Sequence, residues 1–120
     1  MVARSVSFRL KPNCVAKFTQ IVDRDVLPLL REQRGFQDEI TFVSPEGLQV
    51  VGISLWDNDE AANAYSQAVY PKILKSFEEV IGGRPELHVF QVSNSTFHKI
   101  EPLVTLDEFG RFFNCAPIGV

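Results

Sequence analysis

Hydrophobic and polar residues alternate along four short segments of the chain. Val6, Phe8 and Leu10 alternate with polar residues across positions 4–10, which is the period of a half-buried β-strand. Three further strands are predicted, at residues 36–44, 48–56 and 86–93. The second and third strands flank the sequence Pro-Glu-Gly, whose proline and glycine favour a tight turn, so these strands are predicted to form a β-hairpin.

The segment between the first two strands has the spacing of an amphipathic helix. Asn13 is its predicted N-cap and Gly35 its predicted end. Pro28 lies within the pattern and removes one backbone hydrogen bond, so we expect a kink there. The apolar residues recur three or four positions apart and share one face: Cys14, Val15, Phe18, Ile21, Val22, Val26, Leu29 and Leu30.

A second helix is predicted after the hairpin. Asp57 or Asn58 is suited to cap it, and Glu60 follows Asp57 at the spacing of a capping box. Pro71 interrupts the helix, and a further helical stretch ends at the glycine pair 82–83. The inner side of this helix is expected to be small: Ala61, Ala64 and Ala68, with Tyr65 and Val69 beside them.

The order of elements, β-α-β-β-α-β, predicts an α+β ferredoxin-like fold with an antiparallel sheet and both helices on one face. Residues 50–56 are apolar at both strand parities, so both faces of the sheet need cover. The helices cover one face. A second copy of the sheet is the simplest cover for the other, because closed twofold dimers are the commonest homo-oligomers. We therefore expect a homodimer, a dimeric α/β barrel.

Composition, net charge and the lengths of apolar runs indicate the class of protein and which partners to expect. The chain has 120 residues, 45% of them hydrophobic and 22% charged, which is typical of one folded domain. The net charge is −3 and no basic run is present, so we expect no nucleic-acid partner. No apolar run has the length of a signal peptide or a membrane span, which predicts a cytoplasmic protein with no membrane partner.

Motifs for cofactors are missing from the sequence. Cys14 and Cys115 lack the spacing of a metal or redox motif and are expected to be reduced, buried thiols. The two histidines and two cysteines are scattered, and no carboxylate and histidine pair has helical ligand spacing, which predicts no metal site. The glycine pair 82–83 precedes a strand rather than a helix, so it does not form a phosphate loop. We expect no cofactor.

A candidate binding site follows from small residues in the third strand. Gly52 and Ser54 share the parity of Trp56, and the alanine side of the second helix is expected opposite them. Because protein interiors are close packed, this layer needs a filler. The filler is either a neighbouring side chain, such as Phe8 or Phe90, or a flat aromatic ligand in a cleft. The predicted ligand-binding residues are Ser7, Gly52, Ser54 and Phe90.

His88 lies in the middle of the last strand, where an imidazole is either a hydrogen-bonded core residue or a general base. Its ordinary pKa of about 6.5 suits removal of a phenolic proton near neutral pH, after which the electron-rich ring can react with O2. Trp56 and Tyr65 complete the predicted catalytic set, and Tyr65 or Tyr70 is expected to orient the substrate oxygen. His98 is the alternative base.

Residues 94–120 are predicted to form an extension beyond a domain of residues 1–93. A capping box at 105–108 predicts a short helix. The extension is expected to dock on the protomer or its partner, either as a patch on the core or as a lid over the pocket. Its apolar residues need burial: Phe97, Ile100, Leu103, Leu106, Phe109, Phe112 and Phe113.

Three sequence elements carry a family resemblance that covers residues 1 to about 93. They are "RGF" before the second strand, "SLWDNDEAANAY" at the strand-to-helix corner and "GGRPELHVFQV" at the last strand. In this order and spacing the chain resembles the antibiotic biosynthesis monooxygenase (ABM) superfamily of dimeric α/β barrels. The resemblance implies a pocket between sheet and helices. In the family's enzymes this pocket holds haem or an aromatic or quinone-forming substrate, and several members use O2 without a cofactor.

The family's catalytic residues carry over only in part. Trp56 matches the strand-end tryptophan of pathway monooxygenases, but the accompanying Asn and Tyr are replaced by Gly52 and Ala62. The haem-degrading branch uses an Asn on the first strand, which is absent here, and a Trp and a His where this chain has Tyr65 and Lys75. The chain therefore departs from both catalytic patterns.

Two functions remain open from the sequence. The first is a cofactor-independent monooxygenase acting on an aromatic or quinone-type small molecule. The second is a non-catalytic dimeric module that binds a small hydrophobic ligand or has only a structural role. An empty layer at Gly52 and Ser54 with His88 at its wall favours the first, and a layer filled by protein favours the second.

Overall fold

The computed structural model describes residues 1–101. Its sheet contains four antiparallel strands in the spatial order β2-β3-β1-β4. This order confirms the predicted α+β ferredoxin-like fold. The strands are β1 (Val2–Arg9), β2 (Phe36–Val43), β3 (Gln49–Trp56) and β4 (Glu86–Gln91).

The first helical region contains three consecutive segments: α1 (Val15–Ile21), a π-helical segment (Val22–Val26) and α2 (Leu27–Arg31). The π-helical segment ends directly before α2 and places Pro28 in the first turn of α2. Pro28 donates no N–H, and the change from π-helical to α-helical hydrogen bonding lies directly before α2. Asn13 is not the N-cap: it has a φ of 62°, and Cys14 holds the cap position without a side-chain hydrogen bond.

The second helical region contains α3 (Asp59–Ala68) and α4 (Tyr70–Ser76), with Pro71 in the first turn of α4. Asn58 caps α3, since its side-chain oxygen accepts a hydrogen bond from the backbone N–H of Ala61 at 2.9 Å. Ala61 therefore occupies the position that a capping box gives to a glutamate, so the predicted box with Glu60 does not form.

The core lies between the sheet and the helices. Phe8 of β1, Phe18 of α1 and Phe77 after α4 form an aromatic cluster with ring centroids 5.2–5.7 Å apart. The core side of α3 is formed by Ala62 and Tyr65, while Ala64 and Ala68 are exposed. The predicted inner side of Ala61, Ala64 and Ala68 is therefore wrong, because α3 is oriented so that Ala62 faces the core while Ala64 and Ala68 lie away from it.

The other face of the sheet carries no helix. Its central part is apolar, and the side chains of Ile40, Phe42 and Phe90 there are about half exposed, at 53%, 50% and 56%. The helix-free face is defined here by these residues and their half-buried neighbours Val51, Ile53 and Leu55. Unlike the scattered apolar residues of an ordinary surface, these form one continuous patch.

The segment after β4 begins on this same face. Residues 92–97 lie beside Leu55, and the His98 side chain contacts the carboxylate of Asp38 on β2. Phe97 is 67% exposed. The predicted helix at 105–108 and the apolar residues of the extension beyond Glu101 lie outside the described residues. None of the helices in residues 1–101 is long and apolar enough to span a membrane.

Replacing Gly35 with alanine is expected to destabilise the protein by about 2–4 kcal/mol. Gly35 has a φ of +80°, and an added Cβ would lie 2.5 Å from the Cβ of Ala61. Gly82→Ala is the matched control, because its Cβ would meet its nearest neighbours at an ordinary 3.7 Å. Urea unfolding of both variants measures the difference, and equal midpoints would contradict the close approach of Gly35 to α3.

Candidate functional site

A cleft opens between the helix-covered face of the sheet and the helices. Its cavity volume is about 70 Å³. The walls are mostly apolar and include the Phe8, Phe18 and Phe77 cluster. The polar residues that line it come from three strands and two helices: Arg4, Glu39, Thr41, Ser54, Tyr65 and Tyr70. The combination of an apolar body with a few polar groups is typical of a small-molecule site.

Arg4 of β1 is the most unusual of these residues, because it is charged and only 3% exposed. Its guanidinium carbon lies 4.9 Å from the ring centre of Tyr65 and 4.6 Å from that of Tyr70. One of its terminal nitrogens, Nη2, donates a hydrogen bond to Ser66 Oγ at 3.2 Å. Burial lowers the pKa of Arg4, but a guanidinium keeps its proton in proteins.

The two tyrosines are neutral at physiological pH. Burial raises the pKa of Tyr65 to about 12, although the nearby charge of Arg4 opposes this. Burial also raises the pKa of Tyr70 above its usual 10.0. Both rings therefore contact Arg4 through their π-faces and do not supply a negative charge to balance it.

Glu39 of β2 lines the same cleft. Its carboxylate accepts a hydrogen bond from the hydroxyl of Thr41, which also faces the cleft. Burial raises the pKa of Glu39 above 4.5, and the Thr41 hydrogen bond partly opposes this shift. A Cβ added to Gly52 would lie 3.6 Å from Glu39 Oε1, so the space left by this glycine adjoins the carboxylate.

Trp56 lies behind the wall of the cleft rather than in it. The residue is fully buried, and its Nε1 donates a hydrogen bond to Ser54 Oγ at 2.9 Å. Its ring packs against Tyr65 at 4.7 Å and against Phe36 at 5.5 Å. Trp56 therefore supports Ser54 and Tyr65 from behind, and the small side chain of Ser54 leaves room for the cleft in front.

The structure brings together Gly52, Ser54 and Tyr65 of the predicted site residues. Ser7, His88 and Phe90 do not lie in the cleft. They lie on the helix-free face. Ser7 pairs with Val51, which belongs to that face. In β4, Leu87 and Val89 pair with Val6 and Arg4 on the helix side, so the alternating residues His88 and Phe90 point to the other side. The placement of these three residues in the cleft is therefore wrong, and His88 is not at its wall.

Sequence reasoning missed Arg4, Glu39 and Thr41. The alternation in β1 contained a signal for Arg4, because position 4 shares the parity of the buried Val2 and Phe8. A charged residue at a buried parity is uncommon and indicates a functional or paired charge. The signal for Glu39 is weaker, because each of the two alternating sets of residues in its strand contains both apolar and polar side chains.

The acidic residues, cysteines and histidines do not form a metal site in the part of the chain that the structure describes. No three of them come close enough together there to hold an ion. The ionisable groups that the cleft offers to a ligand are therefore Arg4 and Glu39, together with the two tyrosine hydroxyls.

No protein-family model matches this chain, and no curated protein sequence matches it significantly. Solved structures do match its fold. A monooxygenase from Streptomyces coelicolor in complex with nanaomycin D is 17% identical, with a TM-score of 0.67 over 82% of this chain and 92% of that one. A cofactor-independent oxygenase from Streptomyces nogalater is 16% identical, with a TM-score of 0.66 over 81% and 97%.

A protein of unknown function from Nitrosomonas europaea is also similar, at 11% identity and a TM-score of 0.68 over 82% of this chain and 94% of that one. At these identities the likeness is one of fold. The same fold occurs in structures named as antibiotic biosynthesis monooxygenases, from Bordetella bronchiseptica and Deinococcus radiodurans, which confirms the sequence resemblance at the level of the fold.

Replacing Ser54 with alanine is expected to destabilise the protein by about 1–3 kcal/mol. The change leaves the buried Nε1–H of Trp56 without its acceptor and should alter the tryptophan emission spectrum. Ser7→Ala on the helix-free face is the control and is expected to stay within about 0.5 kcal/mol of the native protein. Thermal unfolding with fluorescence detection measures both variants, and an equal effect of the two changes would contradict this hydrogen bond.

Proposed function

We propose that the cleft binds a small aromatic molecule with an acidic hydroxyl group, and that the chain oxidises this molecule with O2 without a metal or a flavin. The observation that carries the proposal is a carboxylate, Glu39, and a guanidinium, Arg4, at the wall of one apolar cleft. The fold likeness to a monooxygenase and a cofactor-independent oxygenase supports the reaction class.

Glu39 is the proposed general base, in place of His88. Its raised pKa makes the carboxylate a stronger base than an exposed glutamate, and Thr41 holds one of its oxygens in position. The phenolic proton passes to Glu39, which leaves a phenolate in the cleft. Tyr65 stays protonated near neutral pH, so its role is to contact Arg4 and the ligand rather than to take up a proton.

The phenolate then reacts with O2 at a ring carbon. The balanced reaction takes one phenol and one O2 to one quinone and one water. One oxygen atom becomes the new carbonyl, and the other leaves as water with the two hydrogen atoms removed from the substrate. All four electrons that reduce O2 come from the substrate, so the reaction requires no external reductant.

A second candidate is a non-catalytic module that binds a small hydrophobic ligand. The size of the cleft favours it, because about 70 Å³ is less than the roughly 150 Å³ of a cavity that holds benzene. A ring enters only if half-buried lining residues such as Tyr70 and Leu74 move outward. The absence of the family's Asn and Tyr at Gly52 and Ala62 also favours this candidate.

We also propose that the helix-free face pairs with a second copy of the chain. Ile40, Phe42 and Phe90 make this face apolar and too exposed for a stable monomer surface. A second identical sheet presents the same apolar residues and can cover them with twofold symmetry. The His98 contact with Asp38 lies at one end of the face, so within residues 1–101 the central residues of the face stay open for pairing.

Replacing Glu39 with glutamine is expected to lower O2 uptake with anthrone or 1-naphthol by about 100-fold or more, because the amide cannot take up the proton. The native rate should rise as the pH increases through the pKa of Glu39, which burial raises. His88→Ala is the control and should retain the native rate, since His88 lies on the other face.

An oxygen electrode measures this difference between the two variants. Equal losses in both would exclude Glu39 as the base. No O2 uptake by the native protein, with binding of the same compounds, would favour the non-catalytic module.

Replacing Phe42 with glutamate is expected to shift the protein from dimer to monomer, because it places a charge in the proposed interface. Sedimentation at micromolar concentration should give about twice 13.5 kDa for the native chain and about 13.5 kDa for the variant. Val43→Glu is the matched control, since Val43 neighbours Phe42 but lies on the opposite side of the same strand. A native monomer, or equal dissociation by both variants, would contradict the proposed interface.

A further inference from the structure

Arg4 has no acidic partner among residues 1–101. The ion pairs in this part of the chain are Lys17 with Glu79, Arg24 with Asp25 and His98 with Asp38, and all of them lie away from the cleft. A buried charge without a counter-charge destabilises the folded protein unless something balances it. Tyr65 and Tyr70 lie against the guanidinium but are neutral, so they supply no counter-charge.

The guanidinium also has hydrogen bonds left to give. Of its roughly five N–H donors, one goes to Ser66 Oγ, and the Tyr65 hydroxyl interacts with the group as well. Within the described chain, no fully buried side-chain nitrogen lacks a partner. The remaining N–H groups of Arg4 therefore have access to space, and the space that Arg4 lines is the cleft.

Arg4 and Glu39 lie in one row across the sheet. Arg4 of β1 pairs with Ser54 of β3, and Ser54 pairs with Glu39 of β2. Two strand spacings separate their backbones, which is about 10 Å. Ser54 stands between them and its hydroxyl already accepts the Trp56 hydrogen bond. The row thus ends in a cation and a carboxylate that are held apart.

We propose that the ligand of the cleft is a hydroxyaryl carboxylate, with its carboxylate bound to Arg4 and its hydroxyl directed towards Glu39. A planar guanidinium matches a carboxylate with two parallel hydrogen bonds, which a neutral amide cannot reproduce. The apolar residues that line the cleft, Phe8, Phe18 and Phe77 among them, supply contacts for the ring of such a ligand. This inference rests on the proposed cleft and adds the acid group to its substrate class.

Two pairs of probes test it: 4-hydroxybenzoate against 4-hydroxybenzamide, and 6-hydroxy-2-naphthoate against its amide. Binding is measured by calorimetry in the absence of turnover. The native protein is expected to bind the acid of at least one pair about 10- to 100-fold more tightly than the amide, as for a hydrogen bond to a charged group. Equal affinity within both pairs, or no binding of any probe, would overturn the proposal.

Variants at position 4 test whether the Arg4 side chain causes the preference for the acid over the amide. Arg4→Gln should abolish the preference for the acid, and Arg4→Lys should retain part of it. Arg9→Gln is the matched control, because it makes the same change at an exposed position of β1 on the other face. A preference that survives in a folded Arg4→Gln protein would overturn the proposal.

The unfolding midpoint of a variant distinguishes a binding role of Arg4 from a structural one. Arg4→Met removes an uncompensated buried charge and keeps an unbranched apolar side chain, so its unfolding midpoint should be equal to or higher than that of the native protein. A clear fall in the midpoint would show that Arg4 mainly holds Tyr65 and Tyr70 in place, which contradicts the assignment. Acid-selective binding without any O2 uptake would support this inference and would refute the oxygenase.

Discussion

Successive residues of a β-strand point to opposite faces of the sheet, and this constraint decides what each side of the molecule can do. In β1 it sends Arg4, Val6 and Phe8 towards the helices, while Ser5 and Ser7 take the other face. The polar group that reaches the cleft from this strand is therefore a cation and not a hydroxyl. In β4 the same alternation places His88 on the helix-free face and therefore away from the cleft.

The cleft exists because β3 carries small residues at two successive positions on the side that faces the helices. Gly52 has no side chain, and Ser54 fills only the space needed to accept the Trp56 hydrogen bond. Larger residues would have closed the layer and improved the packing. The charged form of Glu39 also lowers stability at neutral pH, since a carboxyl with a raised folded pKa binds its proton more tightly in the folded state. Such losses of stability are typical of binding sites.

The sequence predicts the fold well because each strand and helix shows its own spacing of apolar residues. The turn of the hairpin and the helix interruption at Pro71 are also marked by local residues. It predicts the site less well. The faces of β4 could not be assigned locally, because Leu87 and Val89 compete with Phe90 for the core side. The orientation of α3 places Ala61 close to Gly35, a contact between distant parts of the chain that no local pattern reports. Arg4, in contrast, could have been found from its parity alone.

The separation of Arg4 and Glu39 limits which ligands the cleft can select. Had they stood on neighbouring strands, their side chains could have formed an ion pair and neutralised each other. Ser54 occupies the strand between them and carries no charge, so one end of the row stays positive while the other can accept a proton. A neutral hydrocarbon would leave both groups buried and unpaired, which is unfavourable. A molecule that is anionic at one end and donates a proton at the other satisfies both, so the spacing itself favours a polar, two-ended aromatic ligand.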